Sequence, residues 1–310
     1  MRQGILPIKP DRESNARLSP LLVFCILTAL SLVIGWGPLA SSFALALHDD
    51  QYTHILLILP VSAALIFLDW KSAEPSPAST VKLGSVLLLI AALATFLVRS
   101  RLVTLPSDVQ LSANMLGLVL WWIGSFTLCF GARASRRALF PLCFLFWMVP
   151  PPGFVLNPIV SLLQQGSAAA ARLLFMAAGV PVEQRGMLLH IAGLTVEVAR
   201  ECSSIRSSLM LLVTTMVLAQ LLLRSPWRKA LVIAVAIPLS VAKNGLRIFA
   251  IAMLATRVDP GFLTGRFHRQ GGIIFFLVAL AAIFLLLWRM RRGEAKKPGI
   301  GAGGALEKKA

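Results

Sequence analysis

Apolar residues in this chain come in runs of about twenty, one after another, separated by short charged or Gly/Pro-rich breaks. A run of that length matches the ~30 Å hydrocarbon core of a bilayer when it is helical. Eight such runs are predicted as membrane spans, near residues 20–42, 54–70, 83–98, 111–131, 138–157, 203–223, 229–255 and 271–288. The fifth is broken by Pro150, Pro151 and Pro152. With 57% hydrophobic residues, the chain has more apolar surface than a soluble core could hide. The expected fold is an all-α polytopic membrane protein of about eight transmembrane helices.

The basic residues set the orientation. They outnumber the acids 30 to 13, for a net charge of +17. They gather in short segments between apolar runs, which is a topology signal rather than a nucleic-acid signal. Arg2, Lys9, Arg12 and Arg17 precede the first run, Lys71 and Lys82 follow the second, and Arg133, Arg136 and Arg137 follow the fourth. Arg224, Arg228 and Lys229 follow the sixth, and Arg289, Arg291 and Arg292 the eighth. With eight spans all five groups fall on one side, which the positive-inside rule makes cytoplasmic together with both termini. Arg99, Arg101, Arg257, Arg266 and Arg269 are exceptions on the other side. The basic start and the Ala44–Ala46 pattern suggest a signal peptide, but the first run is long for one and seven more follow, so an uncleaved span is expected.

This divides the chain into a cytoplasmic arm (1–19), a transmembrane domain (20–288) and a basic, disordered cytoplasmic tail (289–310). One long outer-face segment, 153–202, holds an apolar helix around Ile159–Ala178, either a partial span or a surface helix. It is followed by MLLHIAGLTVEVARE, which suits a short β-hairpin turning near Gly193.

Of four cysteines, Cys25, Cys129 and Cys143 lie inside apolar runs, where a cysteine is ordinarily a small core residue. Cys202 lies at the outer face, at the start of a helix and near Arg200 and Arg206. Without an outward partner it is an intermolecular disulfide, a chance thiol or a nucleophile, and a thiol so placed ionises more easily. Arg247 is predicted roughly 27 Å along the seventh span, near the outer boundary, with Asn244 and Lys243 on the same helix face. It either snorkels to headgroups or faces a substrate carboxylate or oxyanion. His48, His54, His190 and His268 are all expected on the outer side, and any could serve as a base. His268 shares the depth of Arg247 and Cys202. His48, Asp49, Asp50 and His54 lack the tight spacing of a metal site, and no P-loop or dinucleotide motif is present, so no cofactor or metal is expected.

CSSIRSSLMLL, then AKNGLRI, then FHRQGG resemble the exosortase/archaeosortase family, as do FWMVPPPGFVLNPIVSLLQ, GVPVEQRG and DDQYTH. The resemblance runs from about Asp49 to Leu287. It implies Cys202 as nucleophile with Arg247 and His268 as catalytic partners, and Asn244 and Arg206 follow as substrate-positioning candidates. Ser204 departs from the family's usual glycine, adding a β-carbon and hydroxyl beside the nucleophile. The implied activity is that of a bacterial inner-membrane cysteine protease/transpeptidase working at the periplasmic face. Its implied partners are secreted proteins ending in a sorting signal (often Pro-Glu-Pro), an apolar helix and a basic tail. The cleaved protein would pass to an acceptor left open by the sequence, an exopolysaccharide-linked group among the options. The competing readings are a transporter or flippase with Arg247 and Lys243 along an anion path, and a structural partner in exopolysaccharide export.

Overall fold

The computed structural model describes residues 19–70, 81–100, 104–191, 194–197, 205–259, 261 and 272–295. The long helices are α1 (Pro20–His48), α2 (Ile55–Trp70), α3 (Val81–Arg99) and α4 (Ser107–Arg137). After the short α5 (Leu139–Phe144) come α6 (Gly153–Ala177), α7 (Ile205–Leu222), α8 (Pro226–Arg257) and α9 (Gly272–Ala295). Eight of them are long and apolar enough to cross a membrane, α5 being the exception. The protein is therefore an all-α polytopic membrane protein with one small sheet.

Local chemistry fixes the helix ends and breaks. Ser19 caps α1, its Oγ accepting from Leu22 N–H at 3.2 Å, with Pro20 at the first helical position. Glycines set the close contact between α3 and α4. A Cβ on Gly84 of α3 would lie 2.7 Å from the Leu128 backbone of α4, and one on Gly117 would lie 2.6 Å from Thr95 Oγ1. With little hydrophobic drive between helices in lipid, such close approach is what holds them together. Gly131, at φ 83°, kinks α4 near its basic end.

The broken fifth run departs from expectation in detail. α5 and a 3₁₀ turn over Leu145–Met148 make only a half-length helix. The chain then returns in extended form to the start of α4, where Ser112 Oγ donates to the Pro150 carbonyl (2.6 Å) and Gly153 N–H to Asp108 (2.8 Å). A new helix begins at Gly153, earlier than the Ile159 boundary expected.

α8 has 32 residues, about 48 Å of helix, well beyond the bilayer core. Its first half packs against α7 and α9 through Leu211, Val232, Ala236 and Ile283. Its second half packs against α6, running parallel: Gly166 meets Val241, Gly245 meets Ala170, and the Phe175 and Phe249 rings lie 4.9 Å apart. The sheet closes over this second half, with Leu189 and Ile191 buried against Ala171, Phe175, Ile248 and Ala252. α6 thus runs beside the far half of α8, away from the body of α7.

The expected hairpin is present and has a third strand. β1 (Val182–Arg185), β2 (Leu188–Ile191) and β3 (Leu194–Glu197) form an antiparallel β1-β2-β3 meander. Gly186, at φ 62°, makes the first turn. The turn expected near Gly193 lies outside the described residues. At the other end α9 continues through Arg289–Arg292 to Ala295, past the expected start of the tail.

Candidate functional site

The starts of α7 and α9 and the middle of α8 meet at one level. Ser240, Lys243, Asn244 and Arg247 follow the i, i+3, i+4, i+7 spacing that puts them on one face of α8. Ser240 Oγ donates to Ser208 Oγ, and Lys243 Nζ donates to Ser207 Oγ, both on the first turn of α7. Lys243 is 6% exposed and Asn244 1%. α6 adds the buried polar side chains of Gln164 and Ser167 to the same end of the molecule. A polar seam inside so apolar a molecule is costly unless satisfied, and the two seryl contacts answer part of that cost.

Arg247 lies against the start of α9: a Cβ on Gly272 would be 3.7 Å from its guanidinium carbon. A helix start carries free N–H groups and the positive end of the helix dipole. Together with Arg247 and Lys243 it makes this spot electropositive, suited to a carboxylate or a developing oxyanion.

Cys202 and His268 lie outside the described residues. Their distance along the chain from this spot is nonetheless short. Cys202 precedes Ile205 by three residues and His268 precedes Gly272 by four.

Arg206 donates from Nη1 to Asp50 Oδ1 at 2.6 Å, tying the first turn of α7 to the 3₁₀ turn Asp50–Tyr52. Beneath this tie Tyr52 packs with Leu156, Val160 and Ile205. Arg206 therefore has a structural partner that its sequence context did not suggest. The other histidines sit elsewhere. His48 Nδ1 is 2.8 Å from the Ala44 carbonyl, and His190 Nδ1 is 3.0 Å from Thr195 Oγ1 across the sheet. His54 is buried, its ring edge-on to Trp147 with centroids 6.2 Å apart. Cys25 and Cys143 are exposed on helix surfaces rather than packed in the core; a membrane helix can turn a small apolar residue toward lipid at no cost.

Sequence reasoning found the Arg247 face but missed its contacts with Ser207 and Ser208. The available signal was the pair of adjacent serines one turn into an otherwise apolar helix.

No curated protein matches the chain, and neither does any solved structure. The family model for transmembrane exosortase matches residues 41–285, which include every element from the end of α1 to most of α9. The chain is thus a multi-pass member of the transmembrane exosortase family, with the membrane protease or transpeptidase role that membership carries in general terms.

Proposed function

We propose that this protein is a cysteine transpeptidase of the bacterial inner membrane that cleaves carboxy-terminal sorting signals of secreted proteins. The observation that carries the reading is the meeting of three helix segments at the Lys243–Arg247 level of α8. Two of them begin directly after the Cys202 and His268 stretches.

In this mechanism the Cys202 thiolate attacks the scissile carbonyl carbon. The carbonyl oxygen becomes an oxyanion, stabilised by Arg247. On collapse the C–N bond breaks, His268 gives a proton to the leaving amine, and a thioester remains on Cys202. The acceptor nucleophile then loses its proton to His268, attacks the thioester and releases the thiolate. Asn244 and Arg206 orient the signal. A substrate tail made of an apolar helix and a basic end reaches the site by diffusing within the bilayer. The site then faces the periplasm and both termini the cytoplasm, an orientation supported by the basic residues at the opposite end of the bundle.

The test is the size of a secreted protein ending in such a signal, read on a blot, in cells carrying Cys202→Ala, Arg247→Ala or His268→Ala. Processing should vanish in Cys202→Ala with the enzyme still in the membrane, and fall at least a hundredfold in the other two. Processing that persists without Cys202 removes the thiol mechanism and leaves transport or scaffolding in exopolysaccharide export.

A further inference from the structure

Arg99, the last residue of α3, stands at the end of the bundle opposite the basic clusters of α4 and the α7–α8 turn. Its position has a local cause. Pro38 lies inside α1 and has no N–H, so the Ile34 carbonyl four residues earlier loses its helical donor. Arg99 Nη2 donates to that carbonyl. A guanidinium has five N–H donors, and among the described residues no carboxylate pairs with Arg99.

Beside this guanidinium a slot of about 390 Å³ opens between α1, α3 and α4. Its wall is mostly apolar, with Pro38, Ala92, Phe96, Leu118 and Trp121, and Ser31, Thr95 and Asn114 add polar atoms to it. Ala92 and Phe96 are themselves exposed at the surface of α3, so the slot is reached from the bilayer side. Arg99 ends a 19-residue helix, about 28 Å long, which puts the cation at the depth of the phosphate layer. An apolar slot inside the hydrocarbon, with a guanidinium at the headgroup level that meets no carboxylate among the described residues, fits an acyl chain attached to a phosphodiester.

We propose that this slot holds one acyl chain of a glycerophospholipid whose phosphate is bound by Arg99. The lipid fills the slot between α1, α3 and α4, and neutralises a cation that the charge pattern otherwise places on the wrong side. The site is separate from the proposed catalytic end of α8 and does not depend on the reading given there.

The experiment counts phospholipid retained by the full chain, purified in mild detergent and examined by native mass spectrometry. The wild type should keep one phospholipid through detergent exchange. Arg99→Gln should cut the occupied fraction at least tenfold, while Arg99→Lys, which keeps the charge, should retain it. Ala92→Phe fills the slot without touching the cation and should also lose the lipid; it decides the matter if Arg99→Gln fails to accumulate. Full retention in Arg99→Gln or in Ala92→Phe overturns the proposal, because it means only surrounding lipid is being counted. Equal loss in Arg99→Lys and Arg99→Gln also overturns it, since the guanidinium then serves the Ile34 carbonyl alone.

Discussion

Two charged residues beside the candidate site have different stakes. Lys243 is buried and bonded to Ser207. An apolar side chain of similar volume spares the desolvation cost of the buried ammonium. Lys243→Met should therefore leave thermal stability unchanged or raised, yet lower processing at least tenfold, because the first turn of α7 loses its tie to the Arg247 face. Ser207→Ala should give a smaller loss in the same direction. A Lys243→Met enzyme that melts early instead would show that the ammonium is needed for folding. Arg206 is a surface case: it and Asp50 are both largely exposed, and such a pair contributes about 0.2–1 kcal/mol. Neither Arg206→Gln nor Asp50→Asn should alter stability much. If Arg206 also holds the sorting signal, processing should fall in Arg206→Gln and stay near normal in Asp50→Asn. Equal effects would reduce Arg206 to a structural tie. The spacing of Lys243, Asn244 and Arg247 made one half of this site legible in the sequence. The answering serines were not, because no local rule says which helix a serine will face.

At the scale of elements, glycine contacts separate packing that matters for the site from packing that matters for the bundle. A Cβ on Gly245 would lie 2.5 Å from Ala170 Cβ and 3.0 Å from the Ala171 nitrogen. Neither neighbour can rotate away, so Gly245→Ala must push α6 from α8. Overpacking of this kind costs about 1–3 kcal/mol, and here it displaces the residues between Asn244 and Arg247. Gly84→Ala meets the Leu128 backbone just as closely, but in the α3–α4 contact. Both variants should melt earlier in detergent. Only Gly245→Ala should lose processing beyond its loss of folded protein, measured as activity per folded enzyme. Most spans were legible from the apolar runs, because length and hydropathy suffice when lipid is the solvent. α5 and α6 were only partly so. The Pro150–Pro152 break was visible, but not that the chain there reaches back to Ser112 and Asp108. The third strand was missed because Val182–Arg185 is short and polar, and only pairing with Leu188–Ile191 makes it a strand.

Across the whole molecule the clusters of consecutive basic residues lie at one end. Arg133, Arg136 and Arg137 lie at the end of α4, and Arg224 and Arg228 at the α7–α8 turn. That turn is locked to the end of α9 by reciprocal capping. Glu294 accepts from the Arg224 and Ser225 N–H groups at 3.0 and 2.9 Å, while Arg228 donates to the Met290 and Gly293 carbonyls. An acid thus meets a helix start and a base a helix end, as the helix dipoles favour. The opposite end carries Asp49, Asp50, Asp108, Arg206 and the final turns of α8 under α6 and the sheet. A sorting enzyme must keep that second end outside, where its secreted substrates are. The prediction uses a Cys202→Ser background, in which the remaining cysteines lie within apolar helices. A membrane-impermeant maleimide added to cells with a permeabilised outer membrane should label cysteines introduced at Ser100 and Asp259. It should label those at Arg136 and Arg291 only after lysis. The reverse pattern would put the Lys243–Arg247 level in the cytoplasm, where no secreted protein with a membrane-anchored tail could present its signal, and the proposed reaction would fail with it.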